Sequence, residues 1–366
     1  MNALTPEELI DAHEGISVLS LDFFDTLVTR SVAQPTHVFA VMEERLMGEG
    51  GDRWRGFALR RVLAERAARR EMASVDEHAD VTLEDILRNL ACAMRMSPAE
   101  RDELAVLEQE TEIELTEDVP WGRSLLEEAR RRGLRVLVVS DNYMSSVHLA
   151  RVARKAGLAV DADDVIVSCE SGAMKHDGSI WPVVLREAGV PGSEILHVGD
   201  LDEADGVLPA RHGIRTHVNP TMRISQREPL NTTPAVLPLS RVEARNRSVT
   251  DPVTNLASGA LAIIVAGQVL DVLRRAEEID VRGIHFTARD GYLAHRTYSK
   301  VREARPSVPR HSYTEISRSI TWRASLGAVD EESVRRFVGD DEVMTLARLR
   351  NRFGCHLAAE VDELAP

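Results

Sequence analysis

The feature that most constrains this chain is a series of short apolar runs that alternate with helical patterns and end in polar residues. The first run, residues 16–21, stops abruptly at Asp22. Apolar runs without polar alternation are typical of strands that are buried on both faces of a parallel sheet. Similar runs follow at residues 134–139, 164–168, 194–198 and 214–218. This order predicts an α/β fold with a doubly wound parallel sheet.

A long helical region interrupts the pattern directly after the first strand. Residues 31–118 show helical periodicities and no strand pattern, and helix starts are expected at Thr82 and at Ser97-Pro98. A helical insertion at this point can cover the strand ends as a cap, or it can form an accessory lobe. We expect a cap.

Composition predicts where the domains divide. Residues 1–220 form the α/β core with its insertion, and residues 221–253, rich in Pro, Thr, Asn, Ser and Arg, are expected to be a linker or an irregular docking segment. Residues 254–366 are expected to form a smaller α/β or mostly helical domain, with strands at 283–287 and 311–316. The apolar run at 256–270 is shorter and richer in Gly, Ala and Ser than a typical membrane span, so it is expected to be a buried helix.

Charge and cysteine usage narrow the class of protein. The formal net charge of −14 argues against nucleic acid or an anionic membrane as a partner. The three cysteines show no disulfide or zinc-ligand spacing. The N-terminus has no secretory signal pattern, so a cytoplasmic protein is expected. The sequence does not specify an oligomeric state.

Polar residues at the predicted strand ends suggest phosphoryl transfer. In an open α/β sheet, chemistry gathers at the carboxyl ends of the strands. Asp22 can attack phosphorus and form an acyl phosphate. The Ser140 hydroxyl and turn amides near Asp141 can bind phosphoryl oxygens, and Lys175 adds a positive charge. Taken singly, Ser140 could be a helix cap and Lys175 a surface lysine. Their occurrence at successive strand ends, together with Asp22 and Asp200, indicates a phosphoryl-transfer site.

Carboxylates from two of these strand ends suggest a Mg²⁺ site, because Mg²⁺ prefers octahedral oxygen coordination. We expect Asp22 and Asp200 to hold the ion, together with the backbone carbonyl of Phe24. Asp205 can ligate it directly or orient its waters. The alternative is that Asp200 and Asp205 belong only to a polar turn and a helix cap.

These motifs resemble the four signature motifs of the haloacid dehalogenase (HAD) superfamily. The resemblance rests on Asp22-Phe-Phe-Asp-Thr-Leu, Ser140-Asp-Asn, Lys175 with Gly178, and Gly199-Asp200…Asp205, and covers roughly residues 14–220. It implies a Rossmann-like core with a helical cap inserted after the first motif. It also implies Asp22 as nucleophile, Ser140 and Lys175 as phosphate contacts, and Asp200 and Asp205 as metal-side acids.

One position departs from the phosphatases of that superfamily. They usually carry an Asp two residues after the nucleophile as general acid and base, and here that residue is Phe24. Asp25, a cap residue such as His37 or Glu43, or the substrate itself could supply the proton. Alternatively, the leaving group needs no proton, as in an acyl phosphate or a pyrophosphate, or the site binds a phosphorylated ligand with little turnover.

The C-terminal region contains a second candidate site. Arg289-Asp290-Gly291 falls where a strand is expected to meet a helix, a geometry that can bind anions, and Arg318 could join it. A salt bridge between domains is an equally good interpretation. The segment is similar to one in two-domain HAD-like proteins with an Arg-Asp-Gly-Tyr motif, many of them associated with surface-glycan or specialised biosynthesis.

The sequence therefore predicts a Mg²⁺-dependent HAD-type phosphohydrolase that acts on a small phosphorylated metabolite. The resemblance favours a sugar phosphate or a biosynthetic intermediate as substrate. The alternative is a degenerate HAD core that binds a phosphorylated ligand or acts as a scaffold. A dehalogenase is a minor alternative, because halide leaves unprotonated but the pair Asp200 and Asp205 would be unexplained.

Overall fold

The computed structural model describes residues 4–219, 232–247, 251–288 and 290–315. By contacts the chain separates into two compact units, residues 1–259 and 260–366. Each unit is described by itself below.

A five-stranded parallel sheet forms the centre of the first unit, in the order β5-β4-β1-β6-β7. Its strands are β1 (Val18–Asp22), β4 (Arg135–Ser140), β5 (Val165–Val167), β6 (Ile195–Gly199) and β7 (Arg215–Val218). The expected α/β fold with a Rossmann-like parallel sheet is confirmed. All five residues of β1 are buried, because this strand has neighbours on both sides and apolar clusters on both faces.

Helices surround the sheet and are connected to it by short loops. They are α1 (Pro6–Asp11), α6 (Pro120–Arg131), α7 (Ser146–Lys155), α8 (Ser168–Ser171), α9 (Trp181–Ala188) and α10 (Leu208–Arg211). A π-helical turn at Asp202–Val207 precedes α10. The helices α6, α7 and α9 fall close to their expected positions.

The helical insertion lies between two short strands that the sequence did not reveal. Strands β2 (Val28–Arg30) and β3 (Thr116–Asp118) pair antiparallel at its two ends. The expectation of no strand in 31–118 is thus wrong for β3, because three residues carry too little pattern to detect. The inserted helices are α2 (His37–Gly50), α3 (Phe57–Ala73), α4 (Leu83–Met94) and α5 (Pro98–Leu115). Thr82 and Ser97 begin α4 and α5 with capping boxes, as expected.

The segment expected to be a linker or an irregular docking segment contains a helix in its described part. Helix α11 (Leu237–Asn246) packs within the first unit, where Leu237 is buried in the main apolar cluster. The Ser240 hydroxyl accepts a hydrogen bond from the Ala33 amide at 2.8 Å. Residues 220–231 and 248–250 lie outside the described residues.

The second unit has a two-stranded parallel sheet, β8 (Gly283–Thr287) and β9 (Arg310–Thr314), with helix α14 (Gly291–Ala304) packed against it. A continuous apolar helix precedes it, formed by α12 (Pro252–Leu256), a π-helical turn (Ala257–Leu261) and α13 (Ala262–Glu278). By length and composition alone, Val253–Glu278 could cross a membrane. It was expected to be buried, but only 11% of its most apolar window is buried.

Candidate active site

A cavity of about 370 Å³ opens at the carboxyl end of β1 and contains Asp22, the last residue of that strand. Because β1 is the central strand, side chains from the neighbouring loops and from the insertion converge on it. The polar residues that line the cavity are Asp22, Asp25, Arg30, Glu65, Arg69, Ser140, Asp141, Asn142, Tyr143, Lys175, His176 and Asp200. Four of the strand-end residues expected at one site, Asp22, Ser140, Lys175 and Asp200, lie together here.

Lys175 is buried beside Asp22 and is fixed at both ends. Its ammonium group donates hydrogen bonds to Asp22 and, at 2.8 Å, to Asp205. Its backbone amide donates to Asp141 Oδ1 at 2.6 Å, and the amide of His176 donates to Asp141 Oδ2 at 3.1 Å. Although burial alone would lower it, the pKa of Lys175 is raised by Asp205 and Asp22. The ammonium therefore stays charged next to Asp22.

Asp205 lies behind the cavity and holds the lysine. Its Oδ1 accepts from Lys175 and from His197 Nε2 at 3.1 Å, and its Oδ2 accepts from the Leu201 amide at 2.9 Å. Although burial alone would raise the pKa of Asp205, Lys175 and His197 lower it well below its usual range. Asp205 is therefore an anion whose oxygens are largely occupied by protein donors.

His197 is a buried member of the site that sequence reasoning missed. It lies opposite Ser20 on the neighbouring strand, and its Nδ1 is 2.8 Å from the Ser20 hydroxyl. Burial lowers the pKa of His197, so the ring is neutral. A carboxylate only accepts hydrogen bonds, so Nε2 carries the proton toward Asp205 and Ser20 donates to Nδ1. The signal available in the sequence was a histidine within an apolar strand.

Three carboxylates cluster at this end of the sheet. Oxygens of Asp22, Asp200 and Asp205 all lie within 4.8 Å of one another, and all three residues are buried. Burial raises the pKa of Asp22 to about 8; Lys175 opposes the shift, and Asp205 and Asp200 add to it. The cluster therefore carries more negative charge than Lys175 neutralises, which makes it a favourable environment for a cation.

Phe24 occupies the cavity wall two residues after Asp22, and the guanidinium of Arg30 stacks on its ring. The Arg30 Cζ atom lies 3.7 Å from the centroid of the Phe24 ring. Arg30 Nε donates to Glu112 Oε1 at 2.6 Å, and both side chains are at least nine-tenths buried. The insertion thus supplies, through Glu112 on α5, the anion that holds this arginine in place.

Asp25 adopts a left-handed backbone conformation, with φ of 59°, and its carboxylate lines the cavity. Oδ1 accepts from the Thr29 hydroxyl at 2.8 Å and lies 3.6 Å from Nη1 of Arg247. Burial raises the pKa of Asp25, while Thr29 and Arg247 oppose the shift. Arg247 also donates to the carbonyl oxygens of Val32 and Ala33, at 2.7 and 2.6 Å.

The two cap residues named as proton donors lie away from the cavity. The carboxylate of Glu43 accepts from the amides of Gly56 and Ala58, at 2.8 and 2.9 Å, and so caps the start of α3. His37 Nδ1 lies 2.8 Å from the Ser240 hydroxyl. The insertion instead places Glu65 and Arg69 of α3 in the cavity wall.

The second candidate site is only partly described. Arg289 and Arg318 lie outside the described residues. Asp290 precedes α14, and its side chain makes no capping hydrogen bond to that helix.

Residues 16–206, more than half of the chain, match the family of haloacid dehalogenase-like hydrolases. The chain belongs to this family. The match spans β1 to the π-helical turn that contains Asp205, and therefore includes every strand end that meets at the cavity. Helix α11 and Arg247 lie beyond it.

This hydrolase is also similar to a phosphatase of Mycobacterium tuberculosis, with 32% identity over 138 residues. That match covers 37% of this chain and 60% of the relative, so it spans less than two thirds of the relative's length.

Among solved structures, a 2-haloacid dehalogenase from Pseudomonas syringae is 18% identical, with a TM-score of 0.41 over 61% of this chain and 96% of that one. An L-2-haloacid dehalogenase from Xanthobacter autotrophicus is 19% identical, with a TM-score of 0.40 over 66% and 87%. These are similarities of fold between distant chains.

Proposed function

We propose that this hydrolase is a Mg²⁺-dependent phosphohydrolase that acts on a small phosphorylated metabolite through an aspartyl-phosphate at Asp22. The observation that carries the proposal is the buried cluster of Asp22, Asp200 and Asp205 at the end of the central strand, in which Asp22 and Asp205 both pair with the buried Lys175. The match to a phosphatase adds support. The family resemblance favours a sugar phosphate or another biosynthetic intermediate as substrate, and it does not specify whether the phosphate is an ester or an anhydride.

The donor set fits Mg²⁺. Asp22 and Asp200 line the cavity with hard carboxylate oxygens, and burial raises the pKa of Asp22, a shift that a bound cation would reverse. Asp22, Asp200 and the Phe24 carbonyl would hold the ion, and Asp205 would act from behind by fixing Lys175. Bound there, Mg²⁺ would neutralise charge on the phosphoryl oxygens.

The residues of the chain then have separate tasks in two steps. First, an Asp22 oxygen bonds to phosphorus while the bond to the leaving oxygen breaks. Lys175 and a bound cation would together favour the anionic form of Asp22, and Lys175 binds the phosphoryl oxygens with the Ser140 hydroxyl. Second, water attacks phosphorus, and its proton passes to solvent as phosphate leaves and the carboxylate returns. Asp141 keeps the Lys175 loop in place through its two amide contacts.

The inserted helices contribute a wall of the cavity and, in this proposal, act as its cap. Asp80, at the insertion's connection to α4, accepts from the Ser168 hydroxyl at 2.6 Å and also pairs with Arg69. Ser168 in turn accepts from the Asn142 amide at 2.8 Å. The insertion is therefore hydrogen-bonded to the loop that follows Ser140.

The experiment is phosphate release with Mg²⁺ and with EDTA, across sugar phosphates, nucleotides, acyl phosphates and pyrophosphate. Asp22→Asn should abolish release, while the exposed control Asp163→Asn should leave it unchanged. Beryllium fluoride with Mg²⁺ should raise the melting temperature of the unmodified protein and not that of Asp22→Asn. Absence of release and of this stabilisation in a folded protein would contradict the proposal and favour a binding protein. Halide release from a 2-haloacid without Mg²⁺ would instead establish a dehalogenase.

A further inference from the structure

The cavity contains an arginine, Arg30, that has no role in the attack of Asp22 or of water on phosphorus. Arg30 lines the same cavity as Asp22, and its side chain is 10% exposed. A charged group this deeply enclosed is costly to bury unless its partners are well arranged. Its position beside Phe24, two residues after Asp22, places it at the wall where phosphatases of the family usually have a proton donor.

Arg30 is held rigidly on two sides. Nε donates to the buried Glu112 at 2.6 Å, and Cζ lies over the Phe24 ring, 3.7 Å from its centroid. A planar guanidinium loses little additional freedom when it then binds an oxyanion, in contrast to a lysine. The group is therefore preset in one orientation.

The terminal nitrogens of Arg30 are left for a ligand. Among the described residues, the hydrogen bond to Glu112 uses Nε, and neither terminal nitrogen donates to a protein acceptor. Arg30 lines the cavity that contains Asp22, so its guanidinium is within reach of a ligand bound there. Two adjacent N–H donors on a cation match the oxygens of a carboxylate or a phosphate.

We propose that Arg30 binds the anionic oxygen of the leaving group and that the substrates are phosphoric anhydrides, either acyl phosphates or pyrophosphates. This inference rests on the proposed phosphohydrolase function and specifies its substrate class. Asp22 bonds to phosphorus, the bond between phosphorus and the bridging oxygen breaks, and the electron pair stays on that oxygen. The leaving group departs as a carboxylate or phosphate anion paired with Arg30.

This arrangement accounts for Phe24. An alkoxide leaving group needs a proton in the transition state, and a phenyl ring cannot supply it. A carboxylate or phosphate is a weak base that leaves unprotonated, so a fixed positive charge is sufficient. Phe24 has a different use here, since its ring supports the guanidinium.

The first measurement compares leaving groups at constant Mg²⁺. Acetyl phosphate and pyrophosphate represent the two kinds of anhydride, and glycerol phosphate represents the alkyl esters. Because a general acid is worth about 10²–10⁴-fold, we expect kcat/KM for one or both anhydrides to exceed that for glycerol phosphate by at least about 10²-fold. The anhydride with the higher kcat/KM identifies the substrate class as an acyl phosphate or a pyrophosphate.

The second measurement removes the positive charge of Arg30. Arg30→Met alone would leave Glu112 buried without a partner, so the double variant Arg30→Met/Glu112→Gln keeps the fold testable. We expect it to lower kcat/KM for the anhydrides about 10²–10³-fold, as for loss of one oxyanion donor, and to leave glycerol phosphate within a few-fold. The matched control is Arg45→Met/Glu114→Gln, an ion pair of 2.7 Å on the same insertion whose members do not line the cavity.

Binding provides a readout that needs no turnover. In an Asp22→Asn background, calorimetry with pyrophosphate and with inorganic phosphate should show that the double variant weakens only the former. Equal losses for all substrates, or faster hydrolysis of glycerol phosphate than of either anhydride, would overturn this inference and leave the phosphohydrolase function intact. The function itself fails only if Asp22-dependent phosphate release is absent from every substrate.

Discussion

The guanidinium of Arg247 lies 3.6 Å from the carboxylate of Asp25, three residues after the proposed nucleophile. Arg247 comes from a segment beyond the part of the chain that matches the family. Its side chain is 9% exposed, and it donates to the backbone of Val32 and Ala33 as well as to the Thr29 hydroxyl. A single side chain thus fixes the loop that joins β1 to the insertion.

Replacement of Arg247 should loosen this loop. Arg247→Met leaves Asp25 without its cation and two carbonyl groups without donors, so we expect the free energy of unfolding to fall by about 3 kcal/mol. The neighbouring Arg245→Met, on the exposed side of α11, should stay within about 0.5 kcal/mol of the unmodified protein. Urea unfolding measures both. Equal midpoints for the two variants would show that Arg247 does not hold the loop.

Gly199 is a position where a methyl group should be intolerable. A Cβ atom there would lie 2.3 Å from Cγ of Asp205, whose two oxygens are bonded and cannot move away. Gly199→Ala should therefore displace Asp205 and Lys175, lowering both the melting temperature and the activity. As the control, Gly48→Ala on the exposed side of α2 meets no atom within 4 Å and should stabilise by about 0.5–1 kcal/mol. A fully active Gly199→Ala would contradict the packing of Asp205.

His148 should make the fold sensitive to acid. Its ring is 2% exposed, neither ring nitrogen has a partner among the described residues, and burial, aided by Arg151, lowers its pKa to about 4. In the unfolded chain its pKa is about 6.5. Between these values the unfolded state binds a proton that the folded state does not, so stability falls as the pH falls from 6.5 to 4.

The full effect of this histidine is about 3 kcal/mol at pH 4. Urea unfolding at pH 7 and pH 5 should show a smaller loss for His148→Leu than for the unmodified protein. His212→Leu, at an exposed site, should keep the original pH dependence. If His148→Leu lost as much stability between pH 7 and pH 5 as the unmodified protein does, another group would cause the acid sensitivity.

Removing one partner of the ion pair between Arg61 and Glu108 should lower the free energy of unfolding more than replacing both partners by apolar residues. Both side chains are at most 1% exposed, and Arg61 donates to the two carboxylate oxygens at 2.8 and 2.6 Å. Arg61→Met should destabilise by about 3–5 kcal/mol, because Glu108 is left charged and buried.

The double variant Arg61→Met/Glu108→Leu should recover much of that loss in a urea double-mutant cycle. In contrast, Arg45→Met removes the partner of the exposed Glu114 and should cost less than about 1 kcal/mol. If the double variant were as unstable as Arg61→Met, the ion pair would contribute more to stability than the cost of burying its two charges.

The elements that could be predicted are those with a local signal. Helix α9 and strand β8 fall at the expected residues, because caps and apolar periodicity act within a few positions. Strand β3 and helix α11 were missed, since one is three residues long and the other is stabilised by contacts with distant parts of the chain.

The same distinction holds at the site. Asp22 and Lys175 could be identified from strand ends and motifs, and the structure brings them together. Arg30 and Arg247 could not, because their partners lie far away in sequence: 82 residues separate Arg30 from Glu112, and 217 separate Arg247 from Arg30. Such contacts follow from the tertiary fold and leave no trace in local spacing.

The anchoring of Lys175 at both ends has a kinetic consequence. Asp141 fixes the backbone of the loop and Asp205 fixes the ammonium, so the positive charge is oriented before any substrate arrives. In bulk water, dipoles must rotate as charge moves during a displacement, and that reorganisation is part of the barrier. In this protein folding has already set that orientation, so the attack proposed for Asp22 would take place in a field that does not need to rearrange.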